Sequence, residues 1–487
     1  MSKAKTGNSF WSSWKWLIEI VLFSVIAGLL IYAVPMEGLE FQGKVMLVMF
    51  LWCVALWIAK PLEEWLVSVI ACVILVIFFG IDHKGLLSGF QNPGWFLVIF
   101  SQMIGITMVM TGLGRRMAYF IVSKLGKGGE LMANYAVGAT TALCTLIIPS
   151  AGARTSTLVN IVDELSESLG FKRGERGGES LVMTGMFVNT TGTIMFLTGT
   201  NTIPMGLAIV MEATGRTMSW GEWFAAGFLP GAICCLLIPM YTHLLYKPKK
   251  SKTGGPGEPK KIDVGFAKQA LAEMGPMSTG EKWSLICFSL TVLLWATGSL
   301  TGINANIVPW LTVFLLLIPN FAPGTSKEII REVPWSAMLW IGLAMGMANN
   351  VNSSGGFQWL VDTFFTSNAA VQSLSYTGFL IVWLLLVLFI HIIFAGMDPM
   401  VTLFTPIGMS IAAALGFDVF TVGVITIMAV CVGANFMAFN SQSNLLWCAT
   451  NRFTPGQQLG AACLINVSVA VVLLLTLLFY WPLIGMV

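Results

Sequence analysis

Apolar runs of about twenty residues recur along the whole chain, and they constrain its fold more than any other feature. Trp16–Val34, Gly94–Gly112, Phe224–Tyr246 and Gly460–Trp481 are four of them. Each matches the roughly 20 residues that a helix needs to cross a bilayer. In lipid every backbone N–H and C=O must be satisfied within the protein, so only helices and closed barrels can span. The ten-residue alternation of a barrel is absent from the sequence. Charged residues make up 10% of the chain, against about 25% in soluble domains. The sequence predicts an all-α polytopic membrane protein.

Other classes fall away quickly. The nine cysteines, among them Cys53, Cys144, Cys234, Cys235 and Cys448, lie in apolar segments without a CxxC pair. They read as small core residues rather than a disulfide framework. Three histidines and no Cys/His cluster argue against a structural metal, and no cofactor is expected beyond sodium as a coupling ion. The net charge is +3, and the basic residues lie in short loops rather than one stripe, so no nucleic-acid partner is expected. There is no GxxxxGK[ST] loop for ATP. Lys3, Lys5 and Lys15 precede the first apolar run without a small-residue cleavage site, which predicts a retained first helix.

The Lys/Arg bias of the loops sets orientation. The basic segments are the N-terminus, Gly114–Glu130, Phe171–Glu179 and Lys247–Lys282. The poorly charged ones are Pro35–Gly43, Ile81–Pro93, Thr301–Asn306 and Phe417–Phe420. About eleven transmembrane helices put the basic group, with the N-terminus, in the cytoplasm, provided that two stretches enter and leave on one side. These are Ala133–Leu169, broken by Pro149, Gly152 and Arg154, and Val371–Leu415, broken by Gly396, Asp398 and Pro399. Non-helical backbone at that depth is tolerated only where protein or a watery cavity covers it, so both are expected to be re-entrant helical hairpins. The Gly/Pro-rich, basic stretch "KPKKSKTGGPGEPKK" reads as a cytoplasmic linker that splits the chain nearly in half.

The halves repeat. Leu169-Gly170-Phe171 recurs as Leu415-Gly416-Phe417, and Asn189 recurs as Asn435, at one offset of 246 residues. In that register Ser150 meets Gly396 and Gly152 meets Asp398. An odd number of spans per half inverts the second copy. Inverted repeats with paired broken helices point to a secondary transporter with a midplane site. The expected organisation is N-terminal scaffold helices (1–130), first hairpin and transport-domain helices (131–246), linker (247–282), second scaffold helices (283–370), and second hairpin with transport-domain helices (371–487). Each half carries a further polar interruption, "TGTNTIP" at Thr198–Pro204 and "FNSQSN" at Phe439–Asn444. Scattered Ser, Thr and Asn commonly bond one helix to another, but dense clusters after each hairpin suit a bound ion or anion.

At this point the chain resembles the divalent anion/sodium symporter family. "TGLGRRMAYFIVSKLG" (Thr111–Gly126), "WGEWFAAGFLPG" (Trp220–Gly231) and "VPWSAMLWIGLAMGM" (Val333–Met347) are similar to its segments, and the resemblance spans most of the chain. "PSAGART" (Pro149–Thr155) and "HIIFAGMDPMVTLF" (His391–Phe404) are similar to the hairpin tips of its citrate/succinate antiporter and plastid oxoglutarate/malate exchanger branch. The resemblance implies a homodimer in which a transport domain slides against a scaffold as an elevator. It also implies a Ser-Asn-Thr-like triplet at each tip that binds carboxylates. Here the first tip has Ser150, Ala151 and Gly152, and the second has Gly396, Met397 and Asp398. Both have lost side-chain donors.

The tips still suit an anion, because helix N-termini present unpaired N–H groups and a positive dipole end. The expected substrate-binding residues are Ser150, Ala151, Gly152, Arg154, Thr200, Asn201, Gly396, Met397, Asp398, Ser443 and Asn444. Those expected to hold a coupling ion are Ser150, Asn189, Thr198, Asp398, Asn435 and Asn440. Arg154 offers a planar donor fork for an oxyanion, or a structural ion pair with Asp398. Asp398 can pair with Arg154, ligate a cation, carry a coupling proton, or meet an amine on a zwitterionic substrate. His391 reads first as a helix–helix hydrogen bond and second as a proton carrier. "FQWLVDTFF" (Phe357–Phe365) reads as an interfacial amphipathic helix.

The expected function is secondary transport of a small organic anion, di/tricarboxylate- or sulfonate-like, across a bacterial inner membrane, driven by sodium, protons or exchange. A sodium/proton antiporter or an inorganic oxyanion permease is the alternative, but proton exchange usually needs more than one membrane-depth carboxylate. An intramembrane enzyme is remote, since neither a second aspartate nor a nucleophile with a base is evident.

Overall fold

The computed structural model describes residues 10–125, 129–148, 150–216, 218–247, 265–304, 306–319, 321, 324–366, 369–394 and 396–486. Pro149, Ala395 and the linker core 248–264 lie outside the described residues. The protein is all-helical among the residues described. The first half contains α1 (Phe10–Tyr32), α2 (Phe41–Ala59), α3 (Glu64–Phe79), α4 (Pro93–Thr111), α5 (Leu113–Leu125), α6 (Glu130–Ile147), α7 (Ala151–Ser168), α8 (Arg176–Thr191), α9 (Thr202–Thr214) and α10 (Trp220–Leu245). The second contains α11 (Gly265–Glu273), α12 (Thr279–Ala296), α13 (Val308–Leu316), α14 (Ser326–Glu332), α15 (Trp335–Ser353), α16 (Gly356–Val361), α17 (Tyr376–Phe389), α18 (Met397–Ala414), α19 (Val419–Gly433), α20 (Gln442–Cys448) and α21 (Pro455–Leu475). Among the described residues, six helices are long and apolar enough to cross a membrane, and four shorter ones are apolar. A count by length falls below eleven because helices such as α3, α9, α17 and α19 are shorter than a full span.

The register of 246 residues holds in three dimensions. It carries Ala151–Ser168 onto Met397–Ala414 at both ends, and the start of α6 onto the start of α17. The two helices also end alike. Gly170 donates to the Glu167 carbonyl and Phe171 to Ser166, while Gly416 donates to Ala413 and Phe417 to Ala412. Gly170 and Gly416 have φ of +74° and +71°. This left-handed C-cap is a conformation that L side chains resist, which explains the shared Leu-Gly-Phe.

The copies interlock. α7 packs against α20 of the other copy, α18 packs against α9, and α10 packs against α21. Exchange of this kind is what an inverted pair of repeats produces. A buried arginine fastens one of these crossings. Arg452, 1% exposed, donates to the Asp163 carboxylate, to the Phe171 carbonyl (3.1 Å) and to Glu167 (3.5 Å). It thereby ties the turn after α20 to the base of the first hairpin. Outside this body, α2, α3 and α15 pack together, and α4 packs with α12 and α13. α9 and α18 face α4, α15 and α16 across a boundary.

The stretch 247–282, expected to be a linker, contains a helix in its described part: α11 is docked on α5. Phe266, Ala267, Ala270 and Leu271 form an apolar face that is short enough to hide in a polar stretch. Arg116 of α5 then holds the Met274 and Gly275 carbonyls and both oxygens of Glu281.

Removing Arg452 leaves Asp163 without its buried partner. The substitution Arg452→Met is expected to destabilise the protein by about 3 kcal/mol, read as a lower melting temperature in detergent. An unchanged melting temperature would show that this clamp adds nothing.

Candidate functional site

The two hairpin tips are partly accessible, although almost everything around them is buried. Ser150, Ala151 and Gly152 at the start of α7 are half-buried, as are Gly396 and Asp398 at the start of α18. Ser150 is the N-cap of α7, its Oγ accepting from the Ala153 N–H at 3.3 Å. The remaining first-turn N–H groups of such a helix have no intrahelical partner. A Cβ on Gly152 would meet nothing closer than Ser150 Oγ at 4.0 Å, so the first tip borders open space. At the second tip Gly396 has φ +89° and offers no side-chain cap. Only glycine takes that turn cheaply, and Met397 behind it is 8% exposed.

The interruption of the first repeat joins the tips. Three residues of the 199–202 segment bind three different elements. The Gly199 carbonyl accepts from Arg154 at the first tip (2.9 Å), Asn201 Oδ1 accepts from Gln102 of α4 (2.7 Å), and the Thr202 hydroxyl donates to Asp398 at the second tip. Thr200 lies between them, 6% exposed. Gln102 and Thr202 were not singled out from sequence. Thr202 lies inside the quoted interruption, and Gln102 is a lone amide in the apolar α4 span, a signal that could have been used.

Arg154 is fully buried. Its Nε donates to Asn189 Oδ1 (2.8 Å), Nη1 to the Ile148 and Gly199 carbonyls (2.7 and 2.9 Å), and Nη2 to the Asn189 carbonyl (3.2 Å). The anticipated ion pair with Asp398 is not formed: among the described residues the ion pairs of Arg and Lys lie elsewhere. The guanidinium supplies donors to carbonyls that the helix break leaves without N–H partners, so its fork is spent on the protein. Asn189 is spent with it, since Nδ2 donates to Thr155 at 3.0 Å.

The second copy solves the same problem with an amide. Ile148 and Phe394 are repeat partners, each the last described residue but one before its helix. Asn440 Nδ2 donates to the Phe394 carbonyl (2.8 Å) and to that of His391 (2.7 Å), while its Oδ1 accepts from Met437 N–H (2.6 Å). His391 is buried, and its Nε2–H donates to the Val430 carbonyl at 2.8 Å, the helix–helix bond expected of it. Asn444 donates to Ala434 and Met437 carbonyls and accepts from Thr190, and Ser443 Oγ lies 2.9 Å from Ser441 Oγ. Both are buried. Asn435 donates to Thr191 across the repeat interface and to Asn466 within its own copy (both 3.2 Å). Its Oδ1 and Thr198 Oγ1 are buried oxygens without a partner.

Two cavities flank this region along the boundary that α9 and α18 share with α4, α15 and α16. One, of about 360 Å³, is lined by residues including Asn92, Pro204, Ser219, Glu222 and Asn304. The other, of about 210 Å³, is lined by residues including Glu212, Asn349, Asn352 and Ser410. Neither tip lines them.

The chain is similar to known proteins. The chain is 27% identical over 416 residues to the chloroplast dicarboxylate transporter 1 of Spinacia oleracea, covering 84% of this chain and 71% of that protein. It is 27% identical over 429 residues to the citrate/succinate antiporter of Escherichia coli K12, covering 82% and 84%. The fold is like that of the YdaH transporter of Alcanivorax borkumensis, with a TM-score of 0.56 and 13% identity over 82% of this chain and 89% of that one. The family profile described as "Sodium:sulfate symporter transmembrane region" matches residues 12–487. The protein is thus an integral membrane transporter rather than an enzyme, and it belongs to the divalent anion/sodium symporter family.

Proposed function

We propose that this protein is a secondary active transporter of small organic anions, of the di- or tricarboxylate or sulfonate kind. One observation carries the reading: two accessible helix N-termini, those of α7 and α18, are joined by the 199–202 segment. Backbone N–H groups and dipole ends give a site for carboxylate or sulfonate oxygens that needs no basic side chain. The dicarboxylate and citrate/succinate transporters to which the chain is similar support the same substrate class.

An elevator motion is the proposed mechanism. The body holding both hairpins meets α4, α15 and α16 along a boundary with two cavities, which suits sliding better than a close-packed interface would. Coupling to sodium, protons or a counter-transported anion completes the cycle. Asn435 Oδ1 and Thr198 Oγ1 are oxygens that a coupling cation could use. In this reading α1, of whose spanning segment only 11% is buried, leaves apolar surface for lipid and for a second copy in a homodimer.

Uptake of radiolabelled organic anions (succinate, citrate, aspartate and taurine) into proteoliposomes tests the reading, one transported member being enough. Accumulation that rises with an inward sodium or proton gradient, or with anion loaded inside, is expected. Sulfate uptake alone, or a sodium-driven pH change with no organic anion, would replace it with an oxyanion permease or an antiporter.

Arg154 has a positioning role in this account. The substitution Arg154→Met strips donors from buried carbonyls, at a cost of about 3 kcal/mol or more. The expected result is a lower melting temperature without any ligand, together with lost uptake. If Arg154 instead grips the anion, the ligand-free melting temperature stays and only the stabilisation by added anion disappears.

A further inference from the structure

The geometry points to a substrate that carries an ammonium group beside its anion, with Asp398 as the group that receives the ammonium. This rests on the organic-anion reading of the tips and narrows it to zwitterions such as amino carboxylates and amino sulfonates.

Asp398 lies in the first turn of α18, two residues beyond Gly396. An anion drawn to that helix N-terminus comes to lie beside its carboxylate. The Thr202 hydroxyl donates to Oδ1 and fixes the orientation of the group, which remains half-buried rather than enclosed. Among the described residues no basic side chain is paired with it. Arg154 is committed to Asn189, Ile148 and Gly199. Lys60 and Glu64, where α2 ends and α3 begins, act on Asp398 with opposite signs. Those two pair with each other at 3.3 Å, so they bring little net charge. A plain dicarboxylate would therefore place its charges against a third carboxylate with no free cation between them. Like charges brought together out of water repel strongly.

An ammonium reverses that sign. The carboxylate or sulfonate end takes the N–H groups of the tips, and the ammonium donates to Asp398 and to the Thr202 oxygen. The register of the repeat adds to the argument. The partner of Asp398 in the first copy is Gly152, which faces open space. The site thus has room at one tip and a carboxyl group at the other, a polarity that a symmetric dicarboxylate does not need and a zwitterion does.

Matched ligands test this on the purified full-length protein. L-Aspartate and succinate differ by one ammonium, as do taurine and ethanesulfonate. Binding is followed by thermal shift across a concentration series, and by competition in proteoliposomes. In at least one pair the amino member is expected to bind about tenfold tighter or more, a margin typical of one good charge pair. Asp398→Asn, an isosteric change, should remove that preference by weakening the amino member and strengthening its partner. Succinate and ethanesulfonate binding as tightly as their amino counterparts in the unmodified protein overturns the inference and leaves the organic-anion reading intact. So does an equal loss of both members in Asp398→Asn. Failure of all four to bind, with no uptake of citrate, overturns both.

Discussion

Everything near the two tips depends on one debt: a helix broken at membrane depth leaves carbonyls that water cannot reach. An unpaired buried carbonyl costs about 1–3 kcal/mol, and each break creates several. The first copy meets the debt with Arg154 and the second with Asn440, each acting on the residue before its tip, Ile148 or Phe394. The two solutions run in opposite directions. Arg154 reaches from the hairpin to the following interruption at Gly199, whereas Asn440 reaches from the interruption back to the hairpin. Both fasten the tip to the element behind it, so the helix N-termini can remain partly open without loosening.

This arrangement separates two jobs that a buried arginine in a transporter might combine. The guanidinium bonds to Asn189, Ile148 and Gly199 within the protein, and in the proposed reading the backbone of the tips is left to meet the anion. Asn189 and Asn440 are likewise spent on bonds within the protein, while their neighbours Asn435 and Thr198 keep a bare oxygen. The site is therefore asymmetric within a nearly symmetric frame. The same 246-residue register that superimposes α7 on α18 puts Gly152 against Asp398.

Much of this was legible in the sequence. The long apolar runs give the helices, the Leu-Gly-Phe pair gives the register, and the breakers mark the tips, because each is a local property of the chain. The ends of α7 and α18 fall where that register puts them. Side-chain partners were not legible, because they depend on which elements meet. In one dimension Arg154 read as a ligand contact or as an ion pair with Asp398, yet the two residues bond to opposite ends of the 199–202 segment. Helix α11 escaped notice because its four apolar residues are diluted in a polar stretch, and the use of Gln102 depends on α4 crossing α9.

The most direct measurement is an experimental density map of the protein saturated with a transported organic anion. The account predicts density for the anion between the starts of α7 and α18, beside Thr202 and Asp398, with Arg154 still bonded to Ile148 and Gly199. Density for the anion against the Arg154 guanidinium, with those carbonyl bonds broken, would contradict it.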